Sequence, residues 1–171
     1  MLRKKILPVL AVLALVAVLV GCFSQQNTAQ NAALQNEFSL VASISYQGIQ
    51  AKGTVSKAGE SYQLQITEPE ALSGMGFEYD GEKVNVSYLG LSVGVDKNTI
   101  LTSAAASIVT SFNHALVGSG TSVKNDGDNF VITGKTESGT YKLTASRADG
   151  TPVSLELPDS KLSCAFSKPE G

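Results

Sequence analysis

The chain has 171 residues, a formal net charge of −2 at pH 7 and 43% hydrophobic residues. This length suits a single domain with its own core, because a chain of this size buries most of its apolar surface on folding. The composition argues against a nucleic-acid partner, which would require a strongly basic patch.

The N-terminus has the three parts of an export signal. Basic residues at positions 3–5 precede an apolar run at residues 6–20, which ends just before Cys22. This arrangement is typical of a secretory signal peptide, and residues 19–22 (Leu-Val-Gly-Cys) resemble the lipobox of bacterial lipoproteins. The resemblance implies that the Cys22 thiol carries a diacylglyceryl group and that the chain is cleaved after Gly21. The alternative, a transmembrane anchor, needs about 20 apolar residues, and this run is shorter.

Lipidation of Cys22 has consequences for charge and location. Cleavage removes three basic residues, so the 13 basic and 15 acidic residues become 10 and 15, a net charge near −5. Two acyl chains hold a protein stably on a membrane. We therefore expect a lipid-anchored protein on the extracytoplasmic face of the cell membrane.

The chain divides into three segments. Residues 1–21 are the signal peptide, residues 22–36 are the lipidated cysteine and a flexible tether, and residues 37–171 form the domain. The tether is assigned because its side chains are uncharged and rich in Gln and Asn.

The first half of the domain has the alternating pattern of half-buried strands. Three strands are predicted between residues 38 and 66, with a turn at residues 57–60. Pro69 interrupts this meander because proline cannot donate to a strand ladder, and a hairpin around Asp80-Gly81 follows. The apolar parity shifts after Gly90, which predicts a bulge or a new strand.

Residues 98–117 carry a helical pattern. Apolar residues recur every four positions from Ile100, and the segment contains no Asp, Glu, Lys or Arg. Asn98 or Thr99 is the predicted N-cap, and Gly118 suits the C-terminal end. A helix with an exposed face usually carries charges there, so this one is predicted to be enclosed by the sheet.

Further strands are predicted between evenly spaced turn signals at residues 126–127, 138–139 and 149–150. The total is about nine to eleven strands with one main helix, and an antiparallel sheet of that size tends to curl. The predicted fold class is α+β, mostly β: a curled antiparallel half-barrel with the helix packed on its concave face. On one face of the last strand, Cys164 alternates with Leu162 and Phe166, which predicts a buried, unreactive thiol.

This order of elements resembles the Lol-type lipoprotein carriers (the LolA/LolB/LppX superfamily) and their lipoprotein relatives in Gram-positive bacteria. The matching features are the meander at residues 38–67, a Pro-x-x-Leu-x-Gly connection at 69–74, the hairpin at 77–88, the helix, and Thr-Pro-Val-Ser-Leu at 151–155. The resemblance implies an open barrel whose helix covers an apolar cavity for the acyl chains of lipoproteins or lipids. Because it is itself lipidated, the chain resembles the membrane-bound receptor type rather than the mobile carriers.

The candidate ligand site is the apolar face that the helix covers. An acyl chain gains about 0.8 kcal/mol per buried methylene, so such a site needs few polar contacts. The alternative is that these side chains are simply the core of the domain. The candidate lining residues are Leu40, Ile44, Leu64, Ile66, Phe77, Val84, Val86, Ile108 and Phe112.

Neither catalysis nor a metal or other cofactor is expected. The single histidine, His114, has no second ligand at metal-binding spacing, and the chain has no Gly-x-Ser-x-Gly nucleophile elbow. Asp126 and Asp128 flank a glycine, which favours a solvated turn over a cation site.

Two functions remain open from the sequence. The first is a membrane-anchored module that binds a lipid or acylated ligand in the half-barrel, for lipid or lipoprotein handling at the cell envelope. The second, which the Gram-positive relatives imply, is a scaffold or interaction lipoprotein. It would bind an envelope or sporulation protein on a sheet edge or loop, with no lipid ligand.

Overall fold

The computed structural model describes residues 34–80, 83–96 and 103–170. The signal peptide, Cys22 and most of the predicted tether lie outside the described residues. So do Gly81 of the predicted hairpin and residues 97–102, where the helix was predicted to start. No helix in the described part of the chain has the length and apolar character needed to cross a membrane.

Eleven antiparallel strands and one α-helix make up the described fold. The strands are β1 (Phe38–Tyr46), β2 (Ile49–Ala58), β3 (Ser61–Glu68), β4 (Gly76–Tyr79), β5 (Lys83–Tyr88), β6 (Leu91–Asp96), β7 (Ser122–Asp126), β8 (Asn129–Thr136), β9 (Gly139–Ser146), β10 (Pro152–Leu157) and β11 (Leu162–Ser167). The helix α1 (Ala104–Val117) connects β6 to β7 in the sequence, and short 3₁₀ helices occupy Glu70–Leu72 and Pro158–Ser160.

All eleven strands belong to one sheet, in the order β6-β5-β4-β3-β2-β1-β11-β10-β9-β8-β7. Two meanders, β1 to β6 and β7 to β11, therefore join where the first strand pairs with the last. Ile44 of β1 lies opposite Cys164 of β11 in this pairing. β6 and β7 are the two edges, so the sheet is open.

The sheet curls around α1. Tyr62 on β3 donates a hydrogen bond to Asn113 of the helix, and the helix also packs on β8 and β9. In a flat sheet β3 and β8 would stand about 29 Å apart, because six strand spacings of about 4.8 Å separate them. A helix is about 10–12 Å wide, so it reaches both strands only across a concave surface. The predicted half-barrel with the main helix on its concave face is confirmed.

Three aromatic rings fix the helix to the centre of this concave face. Phe112 is fully buried, and its ring centroid lies 5.1 Å from that of Phe38 on β1 and 5.8 Å from that of Phe166 on β11. Both strand residues point inward because side chains alternate along β1 and β11. The core therefore lies between α1 and the strands at the middle of the sheet.

The helix begins later than the sequence predicted. Ser103 has an extended backbone, and its Oγ accepts a hydrogen bond from the Ala106 N–H at 3.1 Å. Ser103 is therefore the N-cap of this helix, whereas the predicted N-caps, Asn98 and Thr99, lie outside the described residues. The end of the helix agrees with the sequence, since Gly118 closes it in the left-handed region with φ of 72°.

The parity shift near Gly90 marks a new strand. Leu89 and Gly90, with φ of 51° and 81°, form a two-residue turn between β5 and β6. Residues with positive φ match the twist of a tight hairpin. The exposed residues on β6 therefore belong to a separate edge strand.

The packed domain begins before residue 37. Leu34 is buried in the core, and the Gln35 N–H donates a hydrogen bond to the Gly150 carbonyl at 2.9 Å. Asn36 accepts a hydrogen bond from Lys57. These three residues fall within the predicted tether, which is mostly polar, but one apolar side chain and two polar contacts fix them to the domain.

Candidate functional site

An apolar pocket of about 100 Å³ lies between α1 and strands β3 to β5, with Val55 of β2 in its wall. Gln63 and Glu78, both exposed, stand at its rim. Because side chains alternate along each strand, the inward residues of β3, β4 and β5 face the helix here. The apolar side chains of the pocket wall are Val55, Leu64, Phe77, Val84, Ile108 and Val109.

The pocket exists because the helix packs unevenly. α1 packs on β8 and β9, whereas Ala105 and Ala106, which line the pocket, have side chains too small to fill the space toward β3–β5. A cavity of about 150 Å³ can hold a benzene molecule. The present pocket therefore has room for a few methylene groups in this conformation.

The nine candidate lining residues fall into two groups. Leu64, Phe77, Val84 and Ile108 line the apolar pocket. The others do not line it: Leu40, Ile44, Ile66 and Phe112 are buried in the core, and Val86 is half-buried on β5.

Lys57 stands at the polar end of this region. It lies on the concave face of β2, opposite Phe38 of β1 and Tyr62 of β3, and its side chain is only 5% exposed. The ammonium donates hydrogen bonds to Asn36 Oδ1 at 2.9 Å and to the Gly59 carbonyl. It also lies 5.2 Å from the centre of the Tyr62 ring, within cation–π range.

A buried ammonium is costly unless a counter-charge accompanies it. No carboxylate among the described residues forms an ion pair with Lys57. Desolvation lowers the pKa of Lys57, and the more distant carboxylates of Glu37 and Glu60 act in the opposite direction. The concave face therefore carries a positive charge that the described protein only partly compensates.

Tyr62 links this ammonium to the helix. Its hydroxyl donates a hydrogen bond to Asn113 Oδ1 at 2.8 Å, and burial, with Tyr79 nearby, raises the pKa of Tyr62 above its usual value. This bond uses the amide oxygen of Asn113, and the Nδ2 group of the same side chain donates to no described residue. Lys57 thus lies over the face of the Tyr62 ring, and Asn113 contacts the hydroxyl of the same ring.

A second, more open space lies next to the apolar pocket, and we call it the polar groove. It has a volume of about 470 Å³, and its walls are Asn36, Lys57, Gly59, Glu60, Tyr79, Asn113, Leu116 and Val117. Tyr79 and Asn113 also line the apolar pocket, so the two spaces adjoin. Together they form an amphipathic site with an apolar inner end and a polar outer end.

Sequence reasoning missed Lys57 because residues 57–60 look like a turn. The structure continues β2 to Ala58 and places the turn at residues 59–60. The alternation of Gly53, Val55 and Lys57 was the available signal, since it puts the lysine on the buried face.

His114 has a structural partner in Tyr141, whereas Cys164 is a buried free thiol. His114 Nδ1 lies 3.0 Å from the Tyr141 hydroxyl, with the two rings edge to face. Cys164 is buried, and desolvation raises the pKa of its thiol to about 12. Within the described ranges no cluster of His, Cys, Asp and Glu could hold a metal ion.

The fold is similar to several solved structures. A LolA superfamily protein from Nitrosomonas europaea matches at 12% identity and a TM-score of 0.41, over 81% of this chain and 88% of that one. An uncharacterized conserved protein from Thermus thermophilus matches at 10% identity and a TM-score of 0.46, over 82% of both chains. A chain in the structure of the CwlD amidase from Clostridioides difficile in complex with the GerS lipoprotein matches at 15% identity and a TM-score of 0.47, over 79% of this chain and 88% of that one.

No protein-family model and no curated protein matches the sequence. The first of the three structures belongs to the superfamily that the order of elements resembles. All three likenesses concern the fold, so the functional argument depends on the geometry of the pocket and the groove.

Proposed function

We propose that this protein is a membrane-anchored lipoprotein that binds the hydrocarbon part of a lipid or acylated ligand between α1 and β3–β5. The observation that carries the proposal is the apolar pocket on the concave face. Its walls are aliphatic and aromatic, and each methylene buried there would contribute about 0.8 kcal/mol. The protein would bind without catalysing a reaction.

A longer hydrocarbon chain needs more space than the pocket provides in this conformation. It would enter by displacing α1 from β3–β5, while the contacts of the helix with β8 and β9 hold its other side. Tyr62 and Asn113 would separate first, because their single hydrogen bond spans the opening. The polar groove would receive the part of the ligand that stays hydrated.

The proposal is tested by native mass spectrometry of residues 23–171, after circular dichroism has established that this segment folds. We expect a co-purified mass that matches a lipid or an acyl chain. Ala106→Phe would fill the pocket and abolish this mass. Ala165→Phe, on the exposed face of β11, is the matched control and should retain it. A bare protein that takes up no added lipid would contradict the proposal.

The proposed anchor is tested separately. Cys22→Ser removes the thiol that would carry the lipid, so the protein should lose the label from an alkyne-tagged fatty acid and leave the membrane fraction. Cys164→Ser is the control and should change neither property, because Cys164 is buried in the domain. Equal labelling of the wild-type and Cys22→Ser proteins would contradict lipidation at Cys22.

An exposed apolar edge favours the second candidate function, a scaffold for a protein partner. Among the described strands β6 pairs with β5 alone, and Leu89, Leu91 and Val93 are 79%, 74% and 62% exposed. Edge strands with exposed apolar side chains can accept an added strand from another protein. An envelope or sporulation protein would dock there and leave the pocket to the domain's own side chains.

The two functions can be distinguished by charge substitution on the edge. Val93→Lys should abolish a complex recovered from membranes by chemical cross-linking if β6 is the docking strand. Val153→Lys, at an exposed position on the interior strand β10, is the matched control. A complex that survives Val93→Lys would exclude β6 as its docking strand.

A further inference from the structure

The junction between the apolar pocket and the polar groove contains two hydrogen-bond donors that the described fold does not fully use. Lys57 has three N–H donors, and two are directed at Asn36 and Gly59. Asn113 has two donors on Nδ2 that no described residue accepts. Both residues line the polar groove, and Asn113 also borders the apolar pocket.

We propose that Lys57 and Asn113 bind the carboxylate of a single-chain fatty acid whose hydrocarbon enters the apolar pocket. This inference rests on the proposed function and specifies the class of ligand. The two oxygens of a carboxylate match one ammonium donor and one amide donor, and charge-assisted hydrogen bonds are about twice as strong as neutral ones. The carboxylate also supplies the counter-charge that the buried ammonium lacks.

The charge of the groove favours a carboxylate over a phosphate monoester. Glu60 lines the same groove, and Glu37 acts on Lys57 from a distance. A phosphate monoester brings nearly two negative charges at neutral pH, which these glutamates would repel. A carboxylate brings one charge, which a single lysine can balance.

Lys57 also has a structural role, and the experiment has to distinguish this role from ligand binding. Its bonds to Asn36 and Gly59 hold the start of the domain and the turn after β2, so Lys57→Met could weaken the fold. Asn113→Asp is the second variant. It preserves the shape of the side chain and the oxygen that accepts from Tyr62, but it places a negative charge beside the proposed carboxylate.

The experiment uses the full chain, purified from membranes and placed in phosphatidylcholine nanodiscs. Two photoactivatable probes are compared: dodecanoic acid with a terminal diazirine, and the methyl ester of the same compound. The ester has the same hydrocarbon but no charge. Cross-linking per protein molecule is measured, corrected for nanodiscs without protein, and the labelled peptides are mapped by mass spectrometry.

In the wild-type protein the acid should label residues of β3–β5 and α1 about tenfold more than the ester, which is the ratio that one charge-assisted hydrogen bond supplies. Lys57→Met and Asn113→Asp should each remove this preference while labelling by the ester persists. Lys142→Met, at an exposed position on β9 away from both spaces, should keep it.

Equal labelling by the acid and the ester in the wild-type protein would overturn the inference and leave the proposed function intact. An acid preference that survives both Lys57→Met and Asn113→Asp would also overturn it, because the preference would then arise elsewhere. If neither probe labels the pocket above background, the proposed function itself fails.

Discussion

Gly134 and Tyr141 form a tight cross-strand pair. They lie opposite each other on β8 and β9, and the tyrosine is fully buried. A Cβ on residue 134 would stand 2.6 Å from the tyrosine hydroxyl oxygen and 2.8 Å from two ring carbons. The ring therefore occupies the space that any other residue at this position would need.

Gly134→Ala should lower the free energy of unfolding by about 1–3 kcal/mol, the usual cost of overpacking a core. The urea midpoint measures this loss. Gly94→Ala is the matched control on β6, where the added Cβ meets Asn85 Oδ1 at an ordinary 3.4 Å. Equal midpoints for the two variants would show that the ring can move aside.

Asp149 holds the connection between β9 and β10 by two bonds. Its Oδ1 accepts from the Thr151 N–H at 3.0 Å, and its Oδ2 accepts from Lys168 at 3.0 Å. These bonds, the Thr151 N–H first, hold the pKa of the Asp149 carboxyl well below its usual value. A carboxyl with a lowered folded-state pKa stabilises the fold above its unfolded pKa, and this contribution is lost as pH falls.

Asp149→Asn should therefore reduce stability at pH 7, and the difference from wild type should shrink below about pH 4, near the pKa of an unfolded aspartate. Thermal unfolding followed at a series of pH values measures the difference. Asp126→Asn, at the exposed end of β7, provides the comparison. A difference that stays constant down to pH 2 would contradict the role of the charge.

At the scale of elements, the position of α1 depends on how its first turn is capped. Ser103 supplies the capping oxygen and also lines the apolar pocket. The start of the helix therefore helps to set the width of the pocket. The opposite end is fixed by Gly118, whose N–H donates to the His114 carbonyl at 3.1 Å.

Ser103→Ala should destabilise the domain by about 1 kcal/mol, because the Ala106 N–H loses its acceptor. The urea midpoint should fall while the slope of the transition stays the same. Ser119→Ala, in the exposed loop after the helix, should leave the midpoint unchanged. A result in which both variants behave like wild type would mean that water replaces the cap without loss.

At the scale of the whole molecule, the edge strands of the sheet are the most exposed to solvent. β6 is exposed along most of its length, and β7 has one half-buried residue among five. β1 and β11 lie at the centre, with inward side chains that are buried. Local opening requires little energy where few apolar contacts are broken.

Hydrogen exchange should therefore proceed from the edges inward. We expect amides of β6 and β7 to exchange fastest among the strands, and those of β1 and β11 to exchange at the rate of global unfolding. Mass spectrometry of peptic peptides distinguishes the groups. Equal protection of β7 and β11 would indicate that β7 is covered by a partner or by another copy of the chain.

Much of this architecture could be predicted from local sequence patterns. Alternation identified the strands, paired turn residues separated them, and the uncharged helix indicated an enclosed position. The pairing of β1 with β11 was not predicted, because strands far apart in sequence leave no local signal of contact. The pocket was only partly predicted, because four of the nine candidate residues line it.

The polar end of the site was missed for a different reason. A lysine next to Ala58-Gly59 looks like part of a solvated turn, and charge normally indicates exposure. Lys57 is buried because β2 extends two residues further than the turn signal suggested, which turns its side chain toward Tyr62. A local rule therefore failed at a position where the proposed carboxylate site needs a charge.

The pairing of β1 with β11 also determines when the fold can be completed. Synthesis begins at the N-terminus, so β1 can pair with β2 early. The other edge of β1 stays unpaired until residues 162–167 of β11 have been synthesised. A chain interrupted before that point would expose a strand edge at the centre of the sheet, and such edges recruit strands from other molecules. Loss of the last ten residues should therefore be as damaging as loss of the first strand.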